Sequence, residues 1–249
     1  MPTTAPTESF PTPVRRTRPS RVAAAAMHSD RGLVRERNED VGLLGTNLFA
    51  VADGVGGNRA GDVAARIATT VFRAHAENAT GALQLRAAAL AAHRAVARAG
   101  AADPALSGMA TTLSALLLCE DGVAVAHVGD SRAYRLRDSR LERMTADHTA
   151  AAWLAARGRA SSCARPHATL MRAVGGRDGD RPDVGVHDAR SGDVWLLCSD
   201  GLTDQVSEPE LLACLQDAQN PPDAVRTLVD LANQAGGRDN VTVVAVELR

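Results

Sequence analysis

The sequence predicts an α+β fold in which a central antiparallel β-sandwich is flanked by helix pairs on both faces. Three observations lead to this fold class. Several strand-like runs are joined by short turns, the helical segments come as two sequential pairs, and the last strand-like run is apolar on both faces. This order argues against the regular alternation of strands and helices that indicates a parallel sheet.

Strand-like runs open the ordered part of the chain, and two helices follow. Short runs of β-forming residues are found at 22–28, 41–44 and 48–52. Two long segments rich in Ala and Arg, at about 61–78 and 82–99, place apolar residues at helical spacing. We therefore expect the first helix pair to follow the third strand.

The second half begins with strands and ends with the second helix pair and a last strand. The strand-like runs are "TTLSALLLCE", "GVAVAHVGDSRAYRLR" and "SRLERM", separated by "EDG" and "RDS" turns. A helix is predicted at 147–158 and a loop without a clear pattern at 159–169. "DVWLLCSD" is typical of a buried strand, helices are predicted at 208–218 and 223–235, and "NVTVVAVEL" is the final strand.

Composition indicates a globular protein with a disordered N-terminal tail. Residues 1–20 are rich in Pro, Thr and Arg without periodicity, and residues 21–249 are expected to form a single domain. A net charge of −1 and 2% aromatic residues argue against nucleic-acid binding. All 28 basic residues are Arg, which excludes a Walker-type lysine or a Schiff base. With no signal-peptide core and no membrane-length apolar run, we expect a cytoplasmic protein without a membrane span. The exclusive use of Arg and the abundance of Ala indicate GC-rich coding and a bacterial source.

The most informative pattern is a set of acidic residues at the ends of strand-like runs. One such Asp-Gly pair is usually a turn. Several at strand ends indicate a site where negative charges converge, which is costly unless cations neutralise them. The segments are "RERNED", "LFAVADG", "AVAHVGD", "VWLLCSDG" and "GGRDN", and they supply Glu39, Asp40, Asp53, Asp130, Asp200 and Asp239.

Oxygen ligands without a His or Cys cluster are typical of Mg²⁺ or Mn²⁺ sites. Two such ions bridged by one carboxylate, roughly 3.5–4 Å apart, can generate a hydroxide and polarise a phosphoryl oxygen. Arg35 and Arg37 are candidates for binding phosphate oxygens through paired hydrogen bonds, and the pattern alone does not separate them.

Other templates fit less well. A dinucleotide-binding loop would need Gly in place of Arg59, and the aspartyl-phosphate pattern in "RDGDRP" is interrupted by Pro182. The nucleophile elbow G-x-S-x-G and the cysteine phosphatase pattern C-x5-R are absent from the sequence. His127, within an apolar strand, is predicted to be structural, and the structural interpretation is also favoured for His148.

Ordered motifs make the chain resemble the bacterial form of the metal-dependent Ser/Thr protein phosphatases of type 2C. The resemblance runs from about Val22 to the last residue. It rests on "SDRGLVRERNED", "VADGVGGNRAGDVA", "MATTL", "VAHVGDSRAY", "MTADHT", "LMRAVG", "LLCSDGLTD" and "GGRDNVTVV". It implies the same sandwich flanked by helix pairs, with a variable, moving flap over about residues 149–170.

The resemblance also implies a role for each candidate residue. Asp53 would bridge two metal ions and Gly54 would contribute its carbonyl, while Asp200 and Asp239 would complete the first metal site. Glu39 would lie in the shell of the second ion, Asp40 would support a bound water, and Asp130 would bind a weaker third ion. The Arg four residues before the Glu contacts phosphate in the family, which selects Arg35 over Arg37.

The resemblance implies hydrolysis of phosphoserine and phosphothreonine in proteins by a metal-bridging hydroxide, with Mn²⁺ or Mg²⁺ as cofactor. The expected partners are phosphoproteins and a Ser/Thr kinase that the enzyme opposes, and we expect a monomer. Val55 stands where some relatives have a His, so no general acid is assigned. Two alternatives stay open: a partner-switching phosphatase of an anti-sigma antagonist, and a non-catalytic pseudophosphatase, which predicts missing metal carboxylates.

Overall fold

The computed structural model describes residues 21–55, 60–158, 169–177 and 180–249. These residues form two five-stranded antiparallel sheets, a short β-ribbon, six α-helices and a 3-10 turn at Pro104–Leu106. The tail predicted for residues 1–20 lies outside the described residues, as do residues 159–168 of the predicted loop and flap.

The first sheet contains the two ends of the described chain. Its strands, in spatial order, are β1 (Val22–Asp30), β12 (Val241–Leu248), β11 (Val194–Cys198), β8 (Arg132–Arg137) and β9 (Arg140–Arg143). At one end of this sheet the backbone N–H of Arg21 donates to the carbonyl of Arg249 over 2.9 Å. At the other end Asp30 pairs with Val241, where β12 begins.

The second sheet packs face to face with the first. Its strands, in spatial order, are β10 (Asp183–His187), β7 (Gly122–Val128), β6 (Leu113–Cys119), β3 (Leu48–Ala52) and β2 (Val41–Leu44). The β-ribbon, β4 (Gly54–Val55) with β5 (Ala110–Thr111), directly follows β3 and precedes β6.

Alternating side chains build the core between the sheets. On β3, Phe49 and Val51 point into the space between the sheets, where Trp195 and Leu197 of β11 meet them. Leu48 and Ala50 of the same strand point to the opposite face, toward helices. The period of two along a strand thus divides the apolar residues between two cores.

Helices cover both outer faces, which confirms the predicted α+β sandwich. The pair α1 (Gly61–Ala76) and α2 (Ala82–Ala102) packs on the second sheet. The pair α5 (Glu208–Asp217) and α6 (Pro221–Gln234) packs on the first. The two remaining helices are short: α3 (Ala150–Ala155) and α4 (Asp200–Thr203).

Strand β12 is apolar on both faces, as the sequence predicts. Val243 and Ala245 pack toward α5 and α6, whereas Val244 and Val246 pack between the sheets. A shift of one residue in its pairing would exchange the two sets, so its register is strongly specified.

Several elements differ from the sequence prediction. The helix predicted at 147–158 is limited to α3, because extended Thr149 caps it through a 3.2 Å hydrogen bond from the N–H of Ala152. The run "GVAVAHVGDSRAYRLR" forms two strands in different sheets, since the chain crosses over at 129–131. Strand β10 was not predicted. Helix α6 begins at Pro221, because the Asn220 side chain accepts a hydrogen bond from the N–H of Asp223.

No helix within the described ranges is both long enough and apolar enough to cross a membrane.

Candidate metal centre

Strand register brings the predicted acidic residues to one end of the sandwich. Val41, which follows Asp40, pairs with Ala52, which precedes Asp53. In the first sheet β11 runs toward Asp200 while the adjacent β12 starts just after Asp239. Because neighbouring antiparallel strands enter and leave a sheet at the same edge, residues far apart in sequence meet here.

Asp40 is the buried carboxylate at the base of the group, with 8% of its surface exposed. The hydroxyl of Ser199 donates a 2.7 Å hydrogen bond to its Oδ2. Its Oδ1 is buried and has no hydrogen-bond partner among the described residues. Burial raises the pKa of Asp40 to about 7, against hydrogen bonds that lower it and together with the charges of Asp200 and Asp239. An unpartnered buried carboxylate oxygen is what a bound cation or its water would satisfy.

Asp53 is held in place by its backbone. Its N–H donates to the hydroxyl of Thr112 over 2.9 Å, and its carbonyl accepts from the N–H of Thr112 and the hydroxyl of Thr111, both over 2.8 Å. Burial and the charges of Asp40 and Asp200 raise the pKa of its carboxyl group well above the ordinary value. The side chain therefore lies in a fixed, strongly negative environment.

Asp200 and Asp130 extend the negative group. Burial raises the pKa of Asp200 to about 6, with a contribution from the charge of Asp204. Burial, followed by the charges of Asp200 and Asp147, raises the pKa of Asp130 to about 7. When no cation is bound, both carboxyl groups hold a proton more tightly than an ordinary Asp does, because each is buried and lies near other negative charges.

Glu39 and Arg35 lie at the exposed rim. The Nη2 atom of Arg35 is 2.5 Å from Oδ2 of Asp239, and the Arg35 side chain is 54% exposed. Burial acts to lower the pKa of Arg35, but the hydrogen bond and charge of Asp239, with the charges of Asp53 and Glu39, raise it. Arg37 is exposed as well, and its backbone carbonyl accepts from the Asn240 side chain. Arg35 is thus the arginine paired with a predicted metal ligand.

Gly54 and Gly61 allow their backbone segments to approach each other and Glu39 closely beside the acidic residues. A Cβ atom on Gly54 would overlap the backbone of Gly61 and lie 2.9 Å from the carbonyl oxygen of Glu39. A Cβ on Gly61 would lie 2.6 Å from Oε2 of Glu39. Any larger residue would push the start of α1 away from the acidic group, so both positions require Gly. The residues between them, 56–59, lie outside the described part of the chain.

The structure adds residues that the motif pattern did not identify. Burial raises the pKa of Glu39, and the negative charge of Asp62, in the first turn of α1, raises it further. Asn240 fastens the rim loop: its Oδ1 accepts from the N–H of Glu39, and its Nδ2 donates to the carbonyl of Arg31, each over 2.8 Å. The "GDVA" and "DN" segments contained both residues, but their roles depend on contacts that are distant in sequence.

His127 and His148, the two histidines for which the sequence favoured structural roles, are both hydrogen-bonded. His127 is 2% exposed; its Nδ1 pairs with the hydroxyl of Ser114 over 2.9 Å and its Nε2 with the carbonyl of Ala146 over 3.0 Å. His148 accepts from the N–H of Gly129 and pairs with Asp183. These contacts agree with structural roles.

The donor set fits a hard divalent cation that keeps water ligands. No three His, Cys, Asp or Glu side chains among the described residues are arranged so that they could hold an ion as they stand. Mg²⁺, however, usually retains several waters and needs only one or two carboxylates. The oxygen-only chemistry, the unpartnered Oδ1 of Asp40 and the raised pKa values agree with such a site.

The amino-acid sequence from residue 26 to 236 matches the family described as Protein phosphatase 2C. The chain therefore belongs to the protein phosphatase 2C family, which confirms the resemblance seen in its motifs.

Bacterial relatives at substantial identity are named serine/threonine phosphatases. The chain is 40% identical over 230 residues to serine/threonine protein phosphatase PstP of Mycobacterium tuberculosis, covering 90% of this chain and 44% of PstP. It is 34% identical over 239 residues to serine/threonine phosphatase stp of Listeria monocytogenes, covering 90% and 95%. The chain thus spans less than half the length of PstP.

Solved structures agree with the fold and with a metal centre in the family. The crystal structure of the PstP catalytic domain, in complex with two manganese ions, superposes with a TM-score of 0.83 at 38% identity, covering 90% of this chain and 97% of that one.

Proposed function

We propose that the protein is a metal-dependent phosphatase that hydrolyses phosphoserine and phosphothreonine in proteins. The observation that carries the proposal is the convergence of Asp40, Asp53 and Asp200 at one end of the sandwich, each with a raised pKa, beside the exposed Arg35. Family membership and the names of the relatives support the same activity.

Two ions, Mn²⁺ or Mg²⁺, would be held by the carboxylates. In the proposed assignment Asp53 would bind both ions, Asp200, Asp239 and the carbonyl of Gly54 would complete the first site, and Glu39 would belong to the second. Asp40, whose Oδ1 has no hydrogen-bond partner among the described residues, would orient a water. A third ion at Asp130 is a further proposal. When bound, such ions provide Lewis-acid chemistry and lower the pKa of water enough for it to act as a nucleophile.

The chain's own residues would bind and orient the phosphoryl group. Arg35 offers a fork of N–H donors that matches two phosphate oxygens, and its exposed position leaves it open to a protein substrate. Its present contact with Asp239 keeps the guanidinium at the rim of the metal centre. Fixed positive charge there would stabilise the charge on the transferring group.

Direct attack of water on phosphorus needs no nucleophilic side chain. Val55 lies in β4, paired with Ala110, and cannot protonate the leaving oxygen of serine or threonine. We propose in-line hydrolysis without a covalent enzyme intermediate, with the proton supplied by water at the site.

The cellular setting follows the sequence predictions as part of this proposal. The substrates would be phosphoproteins made by bacterial Ser/Thr kinases that this enzyme opposes in signalling. The enzyme would work in the cytoplasm as a monomer, with residues 21–249 as a single catalytic domain.

The test is hydrolysis of p-nitrophenyl phosphate and of a phosphothreonine peptide with and without Mn²⁺. Turnover should require the ion, and Asp53→Asn should lower kcat/KM by about 10²-fold or more, as expected when electrostatic stabilisation of the transferring group is lost together with a metal ligand. Asp121→Asn, in the exposed turn after β6, is the matched control and should keep wild-type turnover. Wild-type rates for Asp53→Asn at saturating Mn²⁺ would rule out the bridging role. Absence of turnover with Mn²⁺, and with Mg²⁺ in its place, would favour the pseudophosphatase.

A further inference from the structure

Two apolar side chains stand exposed beside the proposed phosphate-binding arginine. Leu33 is 68% exposed and Val34 is 66% exposed, and they immediately precede Arg35. Arg35 in turn lies 2.5 Å from Asp239 at the rim of the metal centre. A peptide whose phosphate reaches Arg35 would therefore lie beside the segment that carries both.

The loop that carries this pair is firmly attached. The N–H groups of Leu33 and Val34 donate to the carbonyl of Gly237 over 2.7 and 3.2 Å. Gly32, at φ +74°, allows the turn, and its N–H donates to Asp30 over 2.7 Å. The backbone thus fixes where the two side chains stand, even though water surrounds them.

One side of the Leu33 side chain packs against the backbone at Gly237. Its Cγ lies so close to Gly237 that a Cβ there would approach it to 2.7 Å. Isolated apolar residues on a surface are common and need no special explanation. Here, however, two adjacent apolar residues occupy a hydrogen-bonded loop next to the proposed site, which leaves their outer faces available to whatever binds there.

We propose that Leu33 and Val34 form a docking surface for an apolar side chain of the substrate, within three residues of its phosphoserine or phosphothreonine. This inference rests on the proposed function and assigns a substrate preference to it. Leu33 and Val34 lie two positions and one position before Arg35. Because a peptide advances about 3.3–3.6 Å per residue, a side chain within three residues of the phosphate stays within reach of this segment. An acidic flank, attracted to the exposed Arg31 and Arg37, is the competing preference.

The experiment compares phosphothreonine peptides with Mn²⁺ as the metal. The reference peptide has only Gly and Ser around the phosphothreonine, and the others carry one Leu, or one Glu, at each of the three positions on either side. For the wild type, the best Leu peptide should exceed the reference about tenfold in kcat/KM, the effect expected for removing about one apolar side chain from water.

The deciding quantity is the ratio of the best Leu peptide to the reference. It should fall to about one when Leu33→Ser and Val34→Ser are combined. It should be retained in Leu83→Ser, the matched control, which changes an 81% exposed leucine on α2. A wild type that shows no Leu preference, that prefers Glu instead, or whose Leu preference survives the double change would overturn the inference while leaving the phosphatase activity in place. If neither the peptides nor p-nitrophenyl phosphate are hydrolysed, the proposed function fails and this preference with it.

Discussion

Replacing Asp130 by Asn should stabilise the metal-free protein, and more so at alkaline pH. In the folded chain, burial and the charges of Asp200 and Asp147 raise the pKa of Asp130 from 3.8 to about 7. The folded state therefore binds the proton more tightly than the unfolded state does. Stability is lost as pH rises from about 4 to about 7, and the loss is complete above that range.

The size of the effect follows from this shift. At about 1.4 kcal/mol per pKa unit, ionisation of Asp130 costs about 4 kcal/mol at pH 8 but only about 1.6 kcal/mol at pH 5. Asn has nearly the same shape and no charge. Asp130→Asn should therefore raise the free energy of unfolding by about these amounts at the two pH values.

Chemical unfolding in the presence of EDTA, followed by tryptophan fluorescence, measures this difference. Trp195 is fully buried between the sheets and reports loss of the core. Asp230→Asn, at an exposed position on α6, is the control and should change little at either pH. If the gain from Asp130→Asn is absent, or is the same at pH 5 and pH 8, the electrostatic reasoning is wrong. Saturating Mn²⁺ should remove the gain if Asp130 binds an ion.

Arg137 and His127 supply two further tests. Arg137 donates two hydrogen bonds, of 2.7 and 2.6 Å, to Asp193, which is 1% exposed. Arg137→Ala should lower the free energy of unfolding by about 3–5 kcal/mol, because it leaves the buried charge of Asp193 unpaired. Arg66→Ala, which removes the exposed ion pair with Asp62, is the control and should lower the free energy of unfolding by less than about 1 kcal/mol. Similar losses for Arg137→Ala and Arg66→Ala would contradict this reasoning. Burial and the charge of His148 lower the pKa of His127 to about 3. The stability that the buried neutral His127 provides is therefore fully present above about pH 6.5 and is lost as pH falls toward 3. Wild type should lose about 2 kcal/mol more than His127→Gln between pH 8 and pH 5 in guanidinium unfolding, and equal losses would refute this assignment.

The sequence predicted the sandwich because its signals are local. The continuous apolar runs of β3, "LFAVA", and of β12 report directly on burial at both faces of the sheet. Strand β10 escaped prediction because Val184 and Val186 are its only β-forming residues, and its pairing with β7 comes from a partner about 60 residues earlier in the chain. The crossover after Val128 was also missed, since no local pattern shows which sheet the strands on either side of residues 129–131 join.

The candidate site was predictable as a set of residues but not as a geometry. Asp53, Asp130 and Asp200 are recognisable from an apolar run that ends in an acid. The unpartnered Oδ1 of Asp40 and the mutual approach of Gly54 and Gly61 are not, because they depend on contacts across the sandwich. The preference for Arg35 came from the family resemblance, and its contact with Asp239 supports it.

The hydrogen bonds between Arg21 and Arg249 have a practical consequence. They lie at the end of β1 and β12 opposite the carboxylates, since Asp30 and Val241 mark the other end of the same pair. Eight residues of strand separate the two ends, about 26 Å at 3.3 Å per residue. A fluorophore, an affinity handle or a surface linker joined at Arg249 would therefore leave the mouth of the metal centre facing away from the attachment point, so that immobilised protein could still meet macromolecular substrates.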